Sequence, residues 1–234
     1  MVKYTGTQLG DFKVGTGAAD SMYGLGGDDL LDGAGGADRV EGGAGHDELY
    51  GGAGNDRLYG GSEFDELYGA AGNDLLYGGD AGDVLDGGAG TDRLYGGNGD
   101  DWLQSGLGND LLYGGAGHDV YCGDGYWLDP KGSGHALGIG FARGADHVFI
   151  DNSRFVRGPE QFDFLDSNND NKIDGRDKHV SSSSVTHEGV TKSSLVIDLG
   201  TFQKDFDGGG SLKAGQYTLT LYGVRVLEES DFLL

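Results

Sequence analysis

One cysteine, two prolines and 16 basic residues against 39 acidic ones stand in a chain of 234 residues. A lone thiol excludes an internal disulfide framework, and Cys122, at the end of a repeat, reads as a small outer-face residue rather than a nucleophile. No apolar run reaches the ~20 residues that a membrane-crossing helix needs, which predicts no transmembrane segment. The start, MVKYTGTQLG, carries no hydrophobic signal-peptide core, so export by the general secretory route is not expected. Basic clusters are missing too, and a net charge of −23 speaks against nucleic acid as a partner. The six histidines are scattered, and His187-Glu188 lacks the second histidine of a zinc-protease helix. No catalytic constellation emerges, and the chain is expected not to be an enzyme.

Glycine is what the chain has in excess, 50 residues of it, and it is not randomly placed. Residues 15–122 are one nine-residue phrase repeated twelve times without insertion or deletion, clearest in GGAGHDELY (42–50), GGAGNDRLY (51–59) and GGAGTDRLY (87–95). The sixth position is aspartate in every copy: Asp20, Asp29, Asp38, Asp47, Asp56, Asp65, Asp74, Asp83, Asp92, Asp101, Asp110 and Asp119. A degenerate thirteenth copy, GTQLGDFKV (6–14), puts Asp11 in phase but has Lys13 at the otherwise apolar eighth position.

One apolar residue per nine does not fit an amphipathic helix. It fits a stack of short strands joined by glycine-rich turns, with x-Leu-x as the strand and its middle side chain pointing inward. Two repeats, 18 residues, then make one turn of a solenoid. Met22, Leu31, Val40, Leu49, Leu58, Leu67, Leu76, Leu85, Leu94, Leu103, Leu112 and Tyr121 form a narrow core between two parallel sheets.

So thin a core is a poor match for the entropy of ordering that many glycines. Each turn edge, however, carries a column of hard oxygens, from an aspartate and from backbone carbonyls that glycine leaves free to converge. Calcium takes six to eight such ligands in flexible geometry. Turns two repeats apart share an edge, pairing Asp47 with Asp65 and Asp65 with Asp83 on one side, while Asp56, Asp74, Asp92 and Asp110 line the other. Cations between successive turns would number on the order of ten, enough to offset most of the acidic charge.

The G-G-x-G-x-D-x-L-Y phrase resembles the RTX, or haemolysin-type, calcium-binding repeat. The resemblance implies an all-β fold, a calcium-bound parallel β-roll capped by a small C-terminal β region, with Ca2+ as cofactor. It also implies export of the unfolded chain by type I secretion machinery to the extracellular space.

The repeats are not uniform. GTGAADSMY (15–23) and GAGGADRVE (33–41) depart from the glycine pattern. Glu63 and Ala81 replace the fourth-position glycine, where a left-handed backbone would be strained, so the sites fed by those turns are expected to be weaker. Sorting outward positions by sheet sets Arg39, Arg57 and Arg93 beside Tyr23, Tyr59, Tyr77, Tyr95 and Tyr113, and Glu48, Glu66 and Trp102 beside Tyr50 and Tyr68. Stacked tyrosines serve cross-strand packing. They also suit an acidic polysaccharide such as alginate, whose carboxylates a guanidinium can fork onto while sugar rings lie on aromatic faces.

The chain divides into an N-terminal cap (1–14), the repeats (15–122), a linker or cap loop (123–145) and a C-terminal β region (146–234). Strands are expected at 147–150, 162–165, 195–199 and 217–226. DSNNDNKIDGRD (166–177) matches either an EF-hand-like calcium loop, with Asp166, Asn168, Asp170, Asp174, Asp177 and the Lys172 carbonyl as ligands, or a polar hairpin loop. The tail Asp231, Phe232, Leu233, Leu234 resembles a type I secretion signal. Three functions follow: a secreted calcium-folded protein that binds acidic polysaccharide or the cell surface; the C-terminal module of a secreted alginate epimerase or lyase, whose C-terminal modules the repeats resemble; and a small membrane-acting secreted RTX protein.

Overall fold

A computed structural model describes residues 1, 3–124, 134–139, 147–151, 180–187, 190–198 and 217–221. Every regular element among them is a strand. The strands alternate between two parallel sheets, and every pairing inside the repeats joins residues 18 apart. One sheet registers Lys3 with Ser21, Ser21 with Arg39, Arg39 with Arg57 and so on to Arg93 with Leu111. The other registers Phe12 with Leu30, Leu30 with Glu48, Glu48 with Glu66, and later Trp102 with Val120. This is the expected solenoid, a parallel β-roll with two repeats per turn.

The core is the expected one as well. Met22, Leu31, Val40 and the eighth-position residues that follow, to Tyr121, are all 0 % exposed. Each large apolar residue meets its counterparts one turn before and after, so the interior is a column one side chain wide in each sheet.

Val84–Asp86 and Trp102–Gln104 are the three-residue strands expected, but most strands of the repeats are longer. Arg57–Ser62 and Leu75–Asp80 run through the glycine pair, with Gly61 paired to Gly79 and Ser62 to Asp80. In those repeats the chain turns across the fourth to sixth positions. Glycine is needed at that turn because Gly54 has φ of 144° and a Cβ there would overlap the carbonyl oxygen of Gly36. Glu63 and Ala81 hold the expected left-handed backbone at φ of 75° and 80°. Three second-position residues, Leu25, Ala34 and Ala70, share it at 82°, 68° and 71°.

Beyond the repeats the period breaks. Gly134–Ile139 is a strand, not the loop the glycines suggested, because parallel pairing to Leu107–Ala116 on one side and Tyr217–Leu221 on the other satisfies its backbone. His147–Asp151 pairs with Val120–Asp124 and extends the second sheet. Val190–Asp198 covers part of the strand expected at 195–199, and it pairs antiparallel with Val180–His187, which had not been foreseen. Tyr217–Leu221 opens the strand expected at 217–226. Cys122 is buried at 2 % exposure and does not lie on an open face. The expected strand at 162–165 and the tail 231–234 lie outside the described residues.

Candidate metal centre

All twelve repeat aspartates point into the turn edges and are at most 2 % exposed. Burying a carboxylate without a compensating partner is costly. One oxygen of each is provided for by the protein itself. The Asp47 N–H donates to Asp65 Oδ1 at 2.8 Å, Asp65 to Asp83 at 2.9 Å, and Asp83 to Asp101 at 2.8 Å. On the opposite edge Asp38 donates to Asp56 at 2.7 Å, Asp56 to Asp74 at 2.8 Å, and Asp74 to Asp92 at 2.7 Å. Two parallel ladders therefore run the length of the array, one per edge, in the pairing expected from the 18-residue spacing. Sequence alone does not show that half of each carboxylate is spent on the backbone of the preceding turn.

The other oxygen is different. Oδ2 of Asp29, Asp38, Asp47, Asp56, Asp65, Asp74, Asp83, Asp92 and Asp101 is buried and receives no hydrogen bond. Nor does it lie among apolar atoms alone. A Cβ built on Gly69, the first residue of its repeat, would come 2.7 Å from Asp74 Oδ2 and 2.6 Å from the carbonyl oxygen of Gly87. The first-position glycine lets a carboxylate oxygen and the carbonyl of the next turn close on the same space.

Burial is the largest influence on these groups. It pushes Asp47 up to about 6, Asp74, Asp83 and Asp101 up to about 7, and Asp65 and Asp92 up to about 8. The backbone N–H on each Oδ1 pulls the other way without prevailing. Neighbouring carboxylates on the same edge add to the rise for Asp65, Asp92 and Asp101.

Buried, unpartnered, hard oxygens that resist ionisation are what a divalent cation would relieve, and the donor set suits calcium in particular. Among the described residues no three carboxylate, imidazole or thiol groups converge on one point. Backbone carbonyls must therefore complete any coordination sphere here, as Ca2+ readily accepts and zinc does not.

The first turns depart from this arrangement. Thr7 N–H donates to Asp11 Oδ2 at 2.6 Å. Thr16 donates twice to Asp20 Oδ2, from its N–H at 2.7 Å and from Oγ1 at 2.8 Å. Asp20, expected to be a metal ligand like the rest, already has donors for that oxygen. A hydroxyl-bearing residue at the second position is the sequence signal that could have set it apart.

On the outer face of the first sheet Tyr59, Tyr77, Tyr95 and Tyr113 stack in one column, with ring centroids 5.1, 4.8 and 4.5 Å apart and nearly parallel planes. Arg57 and Arg93 register on either side of Leu75 in the neighbouring column, and both are exposed. Arg39 behaves otherwise. Its guanidinium pairs with Glu41 at 2.5 Å and lies 4.3 Å over the Tyr59 ring, so it closes the column instead of presenting a free cation. The second sheet is acidic outside, with the Tyr50 hydroxyl donating to Glu48 and that of Tyr68 to Glu66, at 2.6 Å in the latter. Asp166, Asn168, Asp170, Lys172, Asp174 and Asp177 lie outside the described residues.

The family model described as RTX calcium-binding nonapeptide repeat (4 copies) matches residues 5–40, 14–49, 32–67, 59–94 and 95–125, together more than half of the chain. No curated protein matches it.

Proposed function

The chain belongs to the RTX calcium-binding nonapeptide repeat family, and on that premise we propose that it is a secreted protein or module that folds when it meets extracellular calcium and then holds acidic polysaccharide on its arginine and tyrosine face. The observation that carries the calcium part is the column of buried Oδ2 atoms without donors, from Asp29 to Asp101. These aspartates, with first-position carbonyls, would hold on the order of ten ions, and Asp110 and Asp119 continue the same two ladders. Asp20 stands outside this set. Calcium supplies the charge that lets these carboxylates ionise while buried. Because the site does not exist in the unfolded chain, its binding free energy is folding free energy.

The polysaccharide part rests on the tyrosine column together with Arg57 and Arg93. Tyrosine faces one solenoid turn apart offer a flat track along the roll, and two exposed guanidinium groups beside it, in no ion pair among the described residues, can fork onto carboxylates. Arg39 is left out, for Glu41 already occupies it. The loop 166–177 remains a proposed further calcium site on sequence grounds, and delivery by type I secretion goes with the family. Either a free-standing protein or the C-terminal module of a secreted alginate-modifying enzyme would present the same roll.

Calorimetric titration of short uronate oligosaccharides into calcium-saturated protein, with free calcium buffered, tests the second part. Saturable binding that disappears in a double variant, Arg57→Ala with Arg93→Ala, is the expected result. Binding unchanged in that variant, or absent in the parent, removes the polysaccharide face and leaves a calcium-folded module whose partner lies elsewhere.

A further inference from the structure

The eighth position faces the core in every one of the twelve repeats and is apolar and fully buried in each. In the turn that starts the solenoid the same two places hold Tyr4, in register with Met22, and Lys13, in register with Leu31. Lys13 thus occupies a core position of the second sheet. Its ammonium lies 5.8 Å above the Tyr4 ring and, among the described residues, makes no ion pair. An inward charge at the last layer of a stack weakens that layer and contributes nothing visible to the calcium ladders.

The surroundings of Lys13 show what the charge is for. Among the described residues Lys3–Thr5 pairs only with Ser21–Gly26, and Phe12–Thr16 only with Leu30–Ala34. Among the described residues, therefore, each strand has one edge of backbone donors and acceptors without a partner strand. Phe12 and Val14, flanking Lys13, are 70 % and 44 % exposed. Open parallel edges beside exposed apolar side chains invite another strand to add on. A solenoid end is a strong template, since whatever pairs with it continues both sheets and the core column together.

We propose that Lys13 is an end-stop that keeps the N-terminal end of one calcium-loaded roll from docking on the same end of a second copy. Two such ends meeting about a two-fold axis would bring two Lys13 ammoniums into one newly buried layer, each over its own Tyr4 and neither with a counter-ion. In the single molecule the same ammonium reaches solvent at the open end and costs little. The device acts only on the folded roll, so it rests on the calcium reading above, and it opposes just the contact that calcium would otherwise create by building a finished edge.

Sedimentation velocity in saturating calcium tests this, comparing the parent with Lys13→Met, Lys13→Leu and Lys13→Arg, while circular dichroism in the same buffer checks that each has its β signal. Lys13→Met and Lys13→Leu are expected to double in mass at concentrations where the parent and Lys13→Arg do not. Folded Met and Leu variants that sediment like the parent overturn the proposal, as does a Lys13→Arg variant that associates equally well. Failure of both neutral variants to fold, with Lys13→Arg intact, also overturns it, because the charge would then be a requirement of the first layer. A parent that keeps its β signal in chelator counts against the calcium reading alone, and the comparison of the four proteins would still stand.

Discussion

The turn at Asp20 and the turn at Asp74 are built from the same phrase, place the same side chain at the same depth, and bury it equally. They differ in who attends to Oδ2. At Asp20 the Thr16 N–H and hydroxyl do so, and the turn is complete as protein. At Asp74 nothing does, and burial pushes the group up to about 7. The contrast shows that the roll is not short of donors by necessity, since one threonine suffices to finish a turn. The interior turns instead leave an oxygen open in register, nine residues after nine residues. A self-sufficient turn is fixed; an open one can be switched by a cation.

The sharpest way to break the comparison is to remove the cation altogether. In chelator the β signal of circular dichroism should be lost, because a finished turn at Asp20 cannot hold up a stack of unfinished ones; a retained signal would show that open oxygens do not need calcium. Next in size is a matched pair of substitutions. Asp74→Ala should raise the calcium needed for half-folding by roughly tenfold, about 1.4 kcal/mol, since it removes an open oxygen together with the acceptor for the Asp56 N–H. Asp20→Ala should leave the number of calcium ions bound by the folded roll at the parent's value, where Asp74→Ala lowers it, while costing about 1 kcal/mol of stability through the lost Thr16 hydrogen bonds.

The pH response sharpens the same contrast. Folded values of about 6 to 8 lie above the ordinary carboxylate range, so without metal the folded state holds more protons than the unfolded one through that interval. Stability of the metal-free roll therefore falls as pH rises from about 4 to about 8. The unfolded chain and the calcium-loaded roll both carry ionised carboxylates above about pH 5, so the half-folding calcium concentration should stay level from pH 6 to 8 and climb below about pH 5, where unfolded aspartates take up protons that calcium must displace. A midpoint that falls steeply between pH 6 and 8 would show that a folded, protonated, metal-free roll precedes calcium binding. The smallest effect is expected from Ala81→Gly, which relieves a left-handed alanine at φ of 80° and should add about 1 kcal/mol in thermal unfolding at fixed calcium.

Much of this molecule could be read from its letters because the period is strict. Phase alone assigned each inward residue from Met22 to Tyr121, both edges and the tyrosine column. The glycine pair misled the strand lengths, because glycine disfavours strands locally while Gly61 and Gly79 pair through the tertiary register. Gly134–Ile139 was hidden for the same reason, its ladder partners lying far away in sequence. The bond from each aspartate N–H to the carboxylate 18 residues on was beyond any local rule, since neither group signals that it will face the other. Arg39 looked like Arg57 until Glu41 proved to be on the same outer face, two residues along the strand.

The two outer faces of the roll are chemically unlike, and consecutive repeats alternate between them. Duplication of a single nonapeptide would carry every later arginine and tyrosine to the acidic side, and every later glutamate to the basic one. Arg93 would part from Arg57, and Tyr95 and Tyr113 from Tyr59 and Tyr77. A gene encoding such an array can thus lengthen or shorten it harmlessly only in steps of two repeats, and the heritable unit of this protein is the pair, although the eye picks out the nine.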